Sequence, residues 1–120
     1  MALRLFFAEY PDWGKIMIRP ITHLLLHFIV PGVVAKLAFG KRWKSAWLIM
    51  ALTIIIDLDH LLANPIYDPN RCSIGYHTLH KYPAILIYLA LTVIPKTRLI
   101  GLGLMIHMVL DGLDCFWMIA

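Results

Sequence analysis

Nine nitrogen and carboxylate donors, His23, His27, Asp57, Asp59, His60, His77, His80, His107 and Asp111, are set into an otherwise strongly apolar chain. A charged carboxylate at mid-bilayer costs roughly 2.5–3.5 kcal/mol, so such groups are rarely left without a partner or a purpose. Asp57, Asp59, Asp111 and Asp114 all interrupt apolar runs with no Lys or Arg beside them. A bound divalent cation is the missing partner. Imidazole and carboxylate donors without thiolates suit zinc, iron or manganese better than copper(I) or calcium. Nine donors exceed the four of one tetrahedral centre. The expectation is therefore two metals, zinc foremost, joined by a bridging carboxylate or hydroxide. Such a pair activates water and clamps a phosphoryl or acyl oxygen.

Spacing says which donors share a face. His23 and His27 are four apart, which places both rings on one side of a helix. Alone, that pair fits polar contacts between helices equally well. Asp57-Leu-Asp-His60 is more specific: Asp57 and His60 share a face, while Asp59 points about 160° away from Asp57 on an ideal α-helix. Asp59 would then serve a second metal or a hydrogen bond to a ligating histidine. A polar last turn at the headgroup level is the competing reading. His77-Thr-Leu-His80 falls in a loop, where histidines are often plain surface residues. His107 and Asp111 are four apart, and Asp114 follows about 20° from His107.

The elements that must position these groups are membrane helices. Of the 120 residues, 61% are hydrophobic and 15% charged, with a mean hydropathy of +0.76. A soluble fold this small could not hide that much apolar surface. The net charge of +4 comes from short segments between apolar runs, so it anchors headgroups rather than nucleic acid. Cys72 and Cys115 are too few and too far apart to argue a disulfide framework or a thiolate site. The opening residues have no sustained apolar core or small-residue cleavage site, so no removable signal peptide is expected.

One domain over residues 1–120 is expected, an all-α integral membrane four-helix bundle with an N-terminal interfacial amphipathic helix. Leu3, Phe6, Phe7 and Tyr10 form one face of that first helix, within an interfacial segment 2–19 anchored by Trp13 and Lys15. Spans are expected at about 20–39, with Pro31 as a kink, and at 46–63, 82–95 and 99–118. Gly101 and Gly103 would permit close helix contact in the last of these. Residues 64–81 form the one long connection, an ordered lid. Four spans put every candidate donor in the same half of the bilayer. The denser basic loops, 36–44 and 96–98, orient that half toward the periplasmic face of a bacterial inner membrane.

A histidine in span one, Asp-x-Asp-His ending span two, paired loop histidines and His-x-x-x-Asp in the last span form a series. It resembles the bacterial membrane-bound predicted metal-dependent hydrolases, and within them a small uncharacterised family, from His23 to Asp114. That group has itself been likened to zinc-dependent phospholipase C. The resemblance implies His23, Asp57, Asp59, His60, His77, His80, His107 and Asp111 as the functional set. Larger members carry a longer His-Arg-Gly-x-x-His-type loop motif, and this chain adds His27 and Asp114. The expected activity is hydrolysis of a phosphoester or ester bond in a membrane lipid or lipid-linked substrate, with Asp59 or Asp114 as general base. A metal carrier or channel, or a structural metal staple, are the competing readings. A homo-oligomer is compatible with the surface but specified by no motif.

Overall fold

A computed structural model describes residues 14–119, all the regular structure in them being helical. The amphipathic helix expected over residues 2–10, with Trp13, lies outside the described residues. Gly14–Ile18 forms one π-helical turn that runs directly into α1, Arg19–Ala38. Helical structure therefore begins at Gly14, earlier than the expected start of the first span. Pro20 occupies the first turn of α1, where its missing N–H costs nothing, and Pro31 lies buried inside the helix. Gly40, at φ +52°, turns the chain where a side chain would be strained.

Gly40–Arg42 leads into α2, Trp43–Leu52, which continues as a 3-10 helix over Thr53–Leu62. The expected single α-helical span over 46–63 is thus corrected in its second half. The run Thr53-Ile-Ile-Ile56 is β-branched throughout and weakly α-forming. Thr53 Oγ1 donates to the Met50 carbonyl at 2.6 Å, drawing that oxygen away from the regular ladder. Tightening to three residues per turn eclipses Asp57 and His60 and swings Asp59 to another side. α3 covers Tyr82–Val93 and α4 covers Arg98–Ile119.

α4 touches the other three helices and forms the spine of the molecule. It does so through glycine. An ideal Cβ on Gly101 would collide with the Leu91–Thr92 backbone, and one on Gly103 would lie 2.8 Å from Met50 Cα. Gly103→Ala should lower stability by about 1–3 kcal/mol, the usual cost of overpacking, measured as the thermal midpoint in detergent. Two apolar clusters frame the centre, one around Ala35, Ala46 and Met50, the other around Tyr88, Leu104 and Met108. Between them the interior is polar. The largest fully buried side chains are Met50, His80 and His107.

The outside inverts this pattern. Leu24, Ile29, Val33, Leu86, Ile87, Val109 and Phe116 are all exposed on the helices' outer faces. Three helices, Ile16–Ala38, Gly40–Leu62 and Arg98–Ile119, are long and apolar enough to cross a membrane, while Tyr82–Val93 is shorter.

Candidate metal centre

All nine donors converge, in three adjoining groups. Asp57, His80, His107 and Asp111 form the first, His23, His27 and Asp111 the second, Asp59, His60 and His77 the third, with donor atoms within 4.8 Å in each. In the first group, His80 Nε2 lies 3.0 Å from Asp111 Oδ2 and 3.2 Å from Asp57 Oδ1. His107 Nε2 lies 3.3 and 3.1 Å from the same two oxygens, and the two Nε2 atoms are 3.3 Å apart. Bonds of 2.0–2.1 Å to a tetrahedral ion span donor–donor edges of about 3.3 Å. The cage has dimensions that a four-coordinate metal ion would fit.

Asp111 belongs to two groups because its oxygens face opposite ways. Oδ2 addresses His80 and His107, whereas Oδ1 is 2.9 Å from His23 Nε2 and 3.4 Å from His27 Nε2. His27 Nδ1 donates to the His23 carbonyl at 2.8 Å, one turn back along α1. That bond leaves Nε2 as the lone-pair nitrogen, buried with no hydrogen-bond partner. A ring fixed this way is prepared to ligate. The residues could hold a metal ion, and Asp111 offers a donor atom to each of two groups.

Asp59 stands behind His80. Its Oδ2 accepts from His80 Nδ1 at 2.8 Å and from the Leu79 amide at 2.9 Å, and its Oδ1 lies 3.2 Å from His60 Nδ1. His60 Nδ1 is also 3.0 Å from the Asp57 carbonyl. Both carboxylate oxygens are thus engaged, which makes the third group the least suited to an ion. Asp59→Asn should weaken metal binding by about 10–100-fold by loosening the His80 ring, as read by isothermal titration with zinc. Burial alone would depress His80. The close carboxylates of Asp111, Asp57 and Asp59 outweigh it and push the imidazole up to about 10. Without metal, His80 is protonated at neutral pH, and its pairing stabilises the fold fully below pH 6.5 and is lost as pH rises through about 10. A cation entering at neutral pH must displace that proton.

A cavity of about 210 Å³ opens onto the centre, with His23, Asp57, His60, His77 and Asp111 in its wall. Arg19 and Asp114 complete it on one side, and Tyr67, Arg71 and Ser73 of the 64–81 loop on the other. Asp59 is not part of this wall, so the geometry does not offer it as a general base. Asp114 is equally committed: Arg19 Nε lies 3.3 Å from Asp114 Oδ1, and the same guanidinium donates to the Pro69 carbonyl. The absence of a neighbouring cation in sequence concealed this pair across helices. Arg19 continues the four-residue series of His23 and His27, and that spacing was its available signal.

The loop is firmly held. Arg71 donates to the Pro65 and Ile66 carbonyls at 2.9 and 3.0 Å and lies over the Tyr76 ring. Tyr88 donates to the Leu79 carbonyl at 2.8 Å, supporting the turn that carries His80. A disulfide joins Cys72 to Cys115 on α4, a pairing that their number and separation in sequence did not argue for. Separation in sequence was a poor guide, since the topology puts both on one side.

Fold and centre together define a class: a small all-helical bundle, apolar outside, with buried His/Asp groups that could hold metal. The chain belongs to DUF6122, a family of unknown function, whose match covers residues 17–118. No curated protein and no solved structure matches it.

Proposed function

We propose that this protein is an integral membrane, metal-dependent hydrolase acting on a phosphoester or ester bond of a lipid or lipid-linked substrate. The carrying observation is Asp111, one carboxylate shared by a four-donor cage and a three-donor set beside a cavity. A set with three protein ligands keeps a position for substrate, which a structural staple would not need. Divalent ions held there would supply Lewis-acid polarisation of the scissile group and acidify water near neutral pH. The resemblance to membrane-bound hydrolases points the same way.

The chain's own residues supply the rest. Asp59 orients His80, and Arg19 with Asp114 closes the cavity toward α4. His77 lies in the cavity wall and is held below the ordinary histidine range by its burial and then by His60. It is therefore neutral at pH 7 and free to take a proton from water or return it to the leaving group. The headgroup-level position of the cavity lets a lipid present its polar end while its chains stay among the apolar helices. The disulfide favours an oxidising compartment, and with it the periplasmic side for the centre.

The test separates binding from turnover. His77→Asn should leave the metal content intact and lower hydrolysis of a lipid phosphoester or ester by about 10²–10⁴-fold. Full hydrolysis by the metal-stripped protein refutes the proposal.

A further inference from the structure

A second cavity lies between α1 and α2, with no wall in common with the metal centre. It is a slot of about 300 Å³ lined by Phe28, Ile29, Val33, Trp43 and Trp47, with Gly32 in its floor. Gly32 makes the slot possible, because a Cβ there would meet Trp47 Nε1 at 3.3 Å. Trp47 cannot swing to fill the space, since its Nε1–H donates to the Phe28 carbonyl at 2.8 Å. The one charged residue in the wall is Lys36. Its ammonium is 5.7 Å from the centre of the Trp43 ring, and that of Lys44 is 5.9 Å from the same ring. Lys41 and Arg42 follow in the adjoining turn, and no Asp or Glu occurs between Trp13 and Ile56.

We propose that this slot is a binding site for an anionic phospholipid, with one acyl chain along Gly32 and the headgroup phosphate on Lys36 and Lys44. The apolar channel ending in cations, with no acidic partner among the described residues, matches the two halves of such a molecule. A zwitterionic lipid would fill the channel equally but bring its own cation to a basic rim. The aromatic rings of Trp43 and Trp47, stacked at 6.2 Å, suit the level where chain meets headgroup. The site rests on the membrane reading of the chain but not on the hydrolase reading.

The protein purified in detergent is incubated with equal amounts of phosphatidylglycerol and phosphatidylcholine of identical chains, and retained lipid is counted by native mass spectrometry. One phosphatidylglycerol per chain is expected, at roughly thirty-fold preference, the effect of two lysines at a bilayer surface. Lys36→Gln with Lys44→Gln should abolish the preference, and Gly32→Leu should abolish retention of both lipids. Equal retention by the unaltered chain overturns the proposal, as does an undiminished preference in the double variant. So does a lipid-free dimer cross-linked through residue 33. A chain that remains soluble without detergent defeats the membrane reading itself, whereas loss of hydrolysis alone leaves the lipid site standing.

Discussion

Asp111→Asn is expected to empty the centre of the proposed hydrolase, taking its divalent-metal content from the proposed two ions per chain to none. Among the described residues, Asp111 alone belongs to both donor groups that face the cavity. The substitution keeps the shape of the side chain, so packing in α4 is preserved while two anionic ligand atoms are lost. The amide nitrogen would also turn a donor toward imidazoles whose Nε2 atoms must act as ligands. Hydrolysis should fall further than the 10–100-fold typical of losing a supporting hydrogen bond. His23→Ala is the informative contrast. It removes a donor from the three-membered group alone, so one ion per chain should remain in the cage of Asp57, His80, His107 and Asp111. Equal loss in both variants would show that the two groups do not bind separately.

Reduction of the Cys72–Cys115 bond should release metal from an otherwise folded protein. The bond closes a 43-residue separation, for which the chain-entropy relation gives about 4 kcal/mol. That is an upper bound, because structure retained in the unfolded chain reduces the effect. What the bond holds is the loop carrying His77 and His80 against the end of α4. Zinc affinity should therefore drop by about 10–100-fold on reduction, comparable to losing a supporting contact of a ligand. Cys72→Ser should show the lowered affinity at the outset and no response to reductant. An unchanged affinity in either case would mean that Arg19, Arg71 and Tyr88 suffice to hold the loop.

How far the sequence could be read depended on distance. Four apolar helices were legible from hydropathy, and the breaks near Pro65 and Pro95 from those prolines, because these are local properties, whereas the first helical segment starts before Pro20. The segregation of donors to one end also followed, since alternation of spans decides it. Of the two roles that spacing left open for Asp59, the hydrogen bond to a histidine is the one formed, whereas the pairing of Asp114 was not legible. Placing Asp59 by angle assumed an α-helical pitch, which gives way to a 3-10 helix over Thr53–Leu62 at the β-branched run and the Thr53–Met50 bond. The Arg19–Asp114 pair and the disulfide join positions far apart in the chain, and only the folded topology brings them together.

The disulfide and Asp111 both tie the centre to α4, and this dictates the timing of its birth. Neither donor group is complete, and the loop cannot be fastened, until the fourth helix has been synthesised and threaded beside the others. On the proposed function, metal would be taken up only after α4 has packed, from the side where the thiols become oxidised, and a stalled chain lacking α4 would hold neither group.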